Sequence, residues 1–301
     1  MLVTTLNATV TTRHGALFNM DCLELLPAMQ DDTIDCIFAD PPFNLGKVYG
    51  PHFNDQLSEE QYMAWSKEWL LESIRVLKPG GSLFVYNIPK WQIHLGSFLM
   101  SRQELVFRNW IAVQMKNNFP RGNQLYPAHY GLLYFTKGPA KAFNRDDVRY
   151  PLPVCRHCKK PLPDWGGYKH TLHPQGVNLS DVWTDTVPQR HRKTKTRARG
   201  VNELDPKIPQ RAILLSTMPG DIVFDPFGGG GSTYLVAEQH HRLWIGSEIG
   251  DPEPILAKLA RLPVVELGAR PEDSIIQVFR SPVNVGEFVF RGNLGAQATL
   301  L

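Results

Sequence analysis

The sequence predicts an α/β fold: an open, mostly parallel, doubly wound sheet that carries an antiparallel strand pair and an inserted region. Three observations predict it. Short, continuously apolar runs alternate with helical periodicity at both ends of the chain. Two of those runs end in an acid followed by a proline-rich or glycine-rich loop. Between about 138 and 200 the periodicity disappears while Pro, Gly, Cys, His and basic residues accumulate, as in an insertion.

The elements follow in order. Residues 34–39 (IDCIFA) alternate too little for a half-exposed strand and suit one buried on both faces. A polar, aromatic loop occupies 51–58. From Glu59 to Leu77 the positions Tyr62, Trp65, Trp69 and Val76 recur at helical spacing, and KPGG at 78–81 stops that helix. SLFVYN (82–87) is the next strand, a helix spans about 89–101, and the β-rich runs 105–115 and 131–136 are close enough to pair antiparallel. Beyond the insertion come a helix near 206–217, a strand at 222–224, a helix near 232–239, a strand at 243–248 and a helix near 252–261. Further strands are expected at 275–279 and 286–290. The division is therefore 1–143 and 201–301 for the two halves of one domain, with 144–200 inserted.

Size and composition bound the function. At 301 residues with 43% hydrophobic residues, the chain suits one large or two small globular domains. It shows no leader and no apolar run near the eighteen or so residues of a membrane helix, so a cytoplasmic protein is expected. Four cysteines are too few for a disulfide scaffold. The net charge of +3 is unevenly spread: Lys137–Gly200 holds fourteen Lys and Arg against five Asp, an excess of nine that leaves −6 elsewhere. Concentrated positive charge of this kind suits contact with a polyanion, or a solvated loop.

In an open α/β sheet, ligands bind beyond the carboxyl ends of the parallel strands. ADPPF (39–43) and FDPFGGGGSTY (224–234) both lie there. The second loop lacks the Lys of a phosphate-binding P-loop, since Gly231 is followed by Ser232 and Thr233. It also lacks the last glycine of the dinucleotide fingerprint, because Thr233 and Tyr234 occupy the required positions. What remains is a strand, an acid, Phe227-x-Gly229-x-Gly231, a helix, and then Glu248 at the next strand end. Glu248 lies 23 residues beyond Asp225, the spacing of a carboxylate that accepts both hydroxyls of a ribose.

These residues resemble the S-adenosylmethionine-dependent DNA amino-methyltransferases, whose fold is Rossmann-like. DPPF (40–43) is similar to their catalytic [DNS]-P-P-[YFW] motif and FDPFGGGGST (224–233) to their cofactor motif. The order, catalytic motif first, then a basic insertion, then the cofactor motif, is that of the β subgroup. MDCLEL (20–25), RVLKPGGSLFVY (75–86), NWIAVQMKNN (109–118) and NELDPKIPQRAI (202–213) extend the resemblance over most of the chain. It implies S-adenosylmethionine as methyl donor: Asp21 at the adenine amine, Glu248 at the ribose, and the loop of Asp225, Phe227, Gly229 and Gly231 at the methionine portion, with Lys207, Ser232 and Thr233 as further contacts. It also implies double-stranded DNA as partner and a homodimer. Many relatives carry His-Glu where this chain has His129-Tyr130-Gly131.

Chemistry accounts for the odd DPPF loop. An exocyclic amine on adenine or cytosine shares its lone pair with the ring and is a poor nucleophile. Hydrogen bonds from that amine to the Asp40 carboxylate and the Pro41 carbonyl would localise the pair. Pro41 and Pro42 stiffen the backbone that aims the carbonyl. Phe43 offers a stacking face for a base rotated out of the duplex. Asp rather than Ser at position 40 favours N6 of adenine, with N4 of cytosine the alternative. A covalent C5-cytosine mechanism lacks its cysteine beside proline. A DNA-binding relative without transfer would leave Asp40-Pro-Pro-Phe43 and Glu248 without purpose; an enzyme acting on RNA or a protein amide is a third reading, which the basic cluster at 190–199 separates less well.

Within the insertion, Cys155 and Cys158 at C-x₂-C spacing, with His170 and His173, would make a tetrahedral zinc site; the alternative is a pair of reduced surface thiols. RHRKTKTRAR supplies Arg190, Arg192, Lys193, Lys195, Arg197 and Arg199 as expected phosphate contacts. Trp183 is expected in the core.

Overall fold

Apolar runs become strands and capped amphipathic runs become helices in the computed structural model. It describes residues 5–46, 55–115, 122–123, 125–152, 154–155, 157–158, 160, 169–171, 173–186, 204–263 and 265–284. The chain opens with β1 (Leu6–Asn7), β2 (Val10–Thr12), β3 (Gly15–Phe18) and the single turn α1 (Cys22–Leu25). β4 (Ile34–Ala39), α2 (Glu59–Val76), β5 (Leu77–Asn87) and α3 (Pro89–Met100) follow, then β6 (Leu105–Gln114) and β7 (His129–Lys137). After β8 (Val182–Trp183) come α4 (Lys207–Ser216), β9 (Ile222–Asp225), α5 (Ser232–Gln239), β10 (Leu243–Ser247), α6 (Glu253–Leu259), α7 (Asp273–Ile276) and β11 (Val283–Asn284).

Nine strands form one sheet in the order β2-β3-β10-β9-β4-β5-β7-β6-β8, and β1 pairs with β11 apart from it. The run β3-β10-β9-β4-β5 is parallel throughout. β7 joins β5 antiparallel, and β6 joins β7 antiparallel, as the expected pair. From β4 the chain passes through α2 to β5 on one side, and from β9 through α5 to β10 on the other. The sheet's switch point therefore lies between β4 and β9.

Strand residues alternate between two helical layers. Ile37 and Ala39 of β4 pack with α1, α2, α3 and α7, while Cys36 and Phe38 face α4. All six residues of β4 are buried, as a central parallel strand requires. α2 begins at a capping box, with the Ser58 hydroxyl accepting from the Gln61 amide at 3.2 Å and Gln61 Oε1 accepting from the Ser58 amide at 3.0 Å. Its buried stripe of Tyr62, Trp69, Leu70 and Ile74 docks on the sheet.

Three details differ from the sequence reading. KPGG ends α2, yet β5 already begins at Leu77: Ile34 pairs with Leu77 and Cys36 with Ser82, so residues 78–81 bulge out of a continuing strand. Gly80 at φ +82° makes that excursion possible. Residues 275–279 are not a strand. The apolar positions Ile275, Val278 and Phe279 stand at helical spacing, so α7 and its final turn bury them on the α2 side of the sheet; residues 286–290 lie outside the described residues. Finally, β8, within 144–200, returns to the main sheet beside β6 with Trp183 buried as expected. Among the described residues no helix is long and apolar enough to cross a membrane.

Candidate active site

The five parallel strands all end at one edge, and four of them end in or lead to an acid singled out from the sequence. β4 leads into Asp40, β9 ends in Asp225, β10 leads into Glu248, β3 leads towards Asp21, and β5 ends in Asn87. Cys36 pairs with Val223 and Ile37 with Phe224, so DPPF and DPFGGGG leave adjacent strands at the same level. Segments far apart in sequence thus share one crevice.

The acids there feel one another. Burial pushes the Asp225 carboxyl well above the usual range, and the charges of Asp40 and Glu248 push it further. The Thr233 hydroxyl and the Phe227 amide, which donates to Asp225 Oδ1 at 2.9 Å, oppose that rise. Burial also raises Glu248, whose carboxylate accepts from the Gly229 amide and, at 2.6 Å, from the Gly250 amide. Asp21 caps α1 by accepting from the Leu23 amide at 2.9 Å. Gly229 and Gly231 have φ of +49° and +74°, which suits glycine. A β-carbon at Gly229 would meet only the Phe227 carbonyl at 3.7 Å, so the loop has room on its outer side.

Aromatic rings fill the space between the loops and the helices. Phe43 lies 6.0 Å from Tyr86 and 5.6 Å from Tyr130, and those two tyrosines lie 5.2 Å apart. Burial raises Tyr86 and Tyr130, and the Asp40 charge adds to both. On the other side Phe227 packs against Trp65 at 5.7 Å and Trp69 at 5.1 Å. A carboxylate cluster with a yielding glycine loop beside it and an aromatic wall opposite suits a cationic nucleoside on one side and a planar base on the other.

The model of the N6/N4 DNA methylase family matches residues 34–253, a span that contains both loops. The chain belongs to that family. It is 50% identical over 249 residues to the type II methyltransferase M.BamHI of Bacillus amyloliquefaciens, covering 82% of this chain and 57% of that protein. The chain therefore spans little more than half the length of that relative. Among solved structures it is similar to the PvuII DNA methyltransferase (cytosine-N4-specific), with a TM-score of 0.58 and 18% identity over 82% of this chain and 86% of that one. It is also similar to the TTHA0409 protein of Thermus thermophilus complexed with S-adenosyl-L-methionine, with a TM-score of 0.50 and 19% identity over 82% and 94%. At those identities the likeness is one of fold, a Rossmann-like methyltransferase sheet.

The remaining expected site residues of this DNA methylase family member scatter. Ser232 turns to the Leu204 carbonyl at 3.1 Å, and Thr233 to Asp225. Lys207 faces the insertion: its ammonium donates to the Asp185 carbonyl at 3.1 Å. Beside it Arg211 forks onto the Asp185 carboxylate at 2.8 and 2.7 Å and lies over the rings of Tyr150 and Trp183. Arg190, Arg192, Lys193, Lys195, Arg197 and Arg199 lie outside the described residues.

The zinc reading of this motif, set against a pair of reduced surface thiols, finds no ligand cluster among the described residues. Among the described residues no three His, Cys, Asp or Glu side chains converge on one point, although Cys155, Cys158, His170 and His173 are all described. Cys155 sits in a tight turn, its amide donating to the Lys160 carbonyl at 2.8 Å, and hydrogen bonds from the Cys158 and His157 amides lower its thiol. His173 Nδ1 instead accepts from the Gln175 amide at 3.3 Å.

Sequence reasoning missed the residues that hold the DPPF loop. The Tyr62 hydroxyl donates to the Pro42 carbonyl at 2.7 Å and accepts from Asn87 Nδ2 at 3.0 Å. Trp91 Nε1 donates to the Phe43 carbonyl at 2.8 Å. Asn44 and Leu57 exchange two bonds of 2.8 Å through the Asn44 side chain. Tyr62 fits the apolar stripe of α2, so periodicity alone reads it as core.

Proposed function

We propose that the chain transfers a methyl group from S-adenosylmethionine to the exocyclic amine of a base in double-stranded DNA. The observation that carries this reading is the pairing of β4 with β9, which sets the Asp40 loop beside the glycine loop at the switch point. The crevice suits the donor because three carboxylates, two of them raised by burial, cluster where a sulfonium, an ammonium and a ribose diol would relieve them. Asp21, Asp225, Phe227, Gly229, Gly231 and Glu248 would hold that donor, which supplies an electrophilic methyl when bound. Asp40 and the Pro41 carbonyl accept the two amine hydrogens and turn the nitrogen lone pair out of conjugation. With the donor bound, the nitrogen would take its methyl as the carbon–sulfur pair returns to sulfur, and Asp40 would take the proton that the nitrogen sheds. Phe43, with Tyr86 and Tyr130 behind it, walls the base pocket.

The acceptor is N6 of adenine on the strength of Asp40. A second reading, N4 of cytosine, is favoured by the likeness to the cytosine-N4-specific PvuII enzyme. Incubation of unmethylated phage DNA with the chain and labelled donor, then digestion and mass spectrometry of the nucleosides, tests the activity and names the base. The expected outcome is one methylated amino-nucleoside from the intact chain and a drop of at least about a hundredfold for Asp40→Ala. Label in RNA or protein alone would overturn the reading, and so would transfer that survives Asp40→Ala. The basic segment is proposed to hold DNA phosphates, and the active species is proposed to be a homodimer in the cytoplasm, which light scattering on the purified protein checks.

A further inference from the structure

We propose that Tyr62 and Trp91 are positioning residues that aim the Pro41 carbonyl by holding the two carbonyls that follow it. The inference rests on the function proposed above and concerns the acceptor side only.

The argument is one of torsions. The Pro42 ring fixes its own φ, so the direction of the Pro41 carbonyl, which shares a rigid peptide plane with the Pro42 nitrogen, depends on how Pro42 is anchored beyond that ring. The soft torsions left on either side of that plane are ψ of Pro41 and ψ of Pro42, and the Tyr62 hydroxyl pins the second by donating to the Pro42 carbonyl at 2.7 Å. Trp91 Nε1 pins the next carbonyl, that of Phe43, at 2.8 Å. Among the described residues nothing donates to the Pro41 carbonyl. Of three successive carbonyls, two are engaged by side chains and the first is left to the amine.

The clamp is itself braced. Asn87, at the end of β5, donates to the Tyr62 oxygen at 3.0 Å, so the hydroxyl hydrogen is left to point at Pro42. The Tyr62 and Trp91 rings pack with centroids 4.4 Å apart, tilted by 41°, and are both buried, which holds the two donors in one unit. The same helical stripe continues to Trp65 and Trp69 against Phe227. α2 therefore touches both loops, and displacement of the Tyr62 end moves the acceptor carbonyl relative to the donor loop. A shift on the order of 1 Å in such an alignment costs about a hundredfold in rate.

The test uses the full chain as purified, with unmethylated phage DNA in single-turnover mode. Tyr62→Phe keeps the ring and loses only the hydroxyl; Trp91→Phe keeps a ring and loses the N–H. The expected result for each is a fall of about ten- to a hundredfold in the single-turnover rate constant. The reaction amplitude, the KM for DNA and the calorimetric affinity for sinefungin, a non-transferable donor analogue, stay within about twofold. The double variant falls short of the product of the single effects, because both act on one loop. A purely structural role would instead lower amplitude and melting temperature and leave the rate constant of the surviving molecules intact, and that result overturns the proposal. An unchanged rate in Tyr62→Phe with an active parent chain overturns it as well. An inactive parent chain is the separate failure of the function itself.

Discussion

Burial sets Asp225 against its own ionisation. The residue is buried at the end of β9, with Asp40 and Glu248 adding negative charge nearby. A carboxyl whose pKa is raised on folding lends its full stability below the ordinary value of 3.8, and that stability is lost as pH rises through the raised value. Asp225→Asn keeps the shape and an acceptor for the Phe227 amide but cannot ionise. Its melting temperature is therefore expected to vary less with pH than the parent's from mildly acidic to neutral conditions, and to be the higher of the two at neutral pH. Calorimetric scans of both proteins over that range check this. A cationic donor bound in the crevice would relieve the same burden, so sinefungin is expected to raise the parent's melting temperature more than the variant's.

At the level of elements, the helix after the glycine loop is seated by one close approach. Tyr234 of α5 lies fully buried under β10, stacked on Trp244 at 4.7 Å, and its ring occupies the place of a side chain at Gly246. A β-carbon there would lie 2.4 Å from the phenolic edge of that ring, too close to stand. Gly246→Ala is expected to cost about 2–3 kcal/mol in chemical denaturation, since α5 or β10 must shift to admit it. Because α5 starts just after Gly231, the loop shifts with it, and sinefungin affinity is expected to fall alongside stability. The opposite end of the β4–β9 pair is fixed differently. Burial alone would raise Asp35 of β4, but Lys78, the Ile222 amide and Lys141 hold it below the usual range. The two neighbouring strands are thus tied at the edge away from the crevice while their other ends remain open to ligands.

Across the whole molecule, charge and chemistry are segregated. The basic excess of Lys137–Gly200 contrasts with the acidic crevice of the sheet edge. Replacing Arg190, Arg192, Lys193, Lys195, Arg197 and Arg199 with Ser is expected to weaken DNA binding and flatten its dependence on salt by up to about one logarithmic unit for each phosphate no longer neutralised. Sinefungin affinity is expected to stay unchanged. Titration of DNA binding at several salt concentrations measures both slope and intercept. The sheet and the meeting of its two loops were legible in the sequence, because buried strands are continuously apolar and strand ends in a parallel sheet gather at one edge. What was not legible depends on distant partners. Tyr62 looks like core on the period of α2, and only Pro42 and Asn87 reveal its hydroxyl as a clamp. β8 is too short to show alternation, and Arg211 on Asp185 anchors its neighbourhood from a helix beyond the insertion. The C-x₂-C spacing suited a metal, but among the described residues no third ligand gathers with Cys155 and Cys158.

The pairing of β4 with β9 also governs when the site comes into being. The two neighbours belong to opposite halves of the polypeptide, so the central pair cannot zip until Val223 and Phe224 have left the ribosome. Contacts of such long sequence separation form slowly. A nascent or truncated product ending before β9 exposes one whole side of β4, an apolar ribbon with an unsatisfied backbone edge that invites association with other chains.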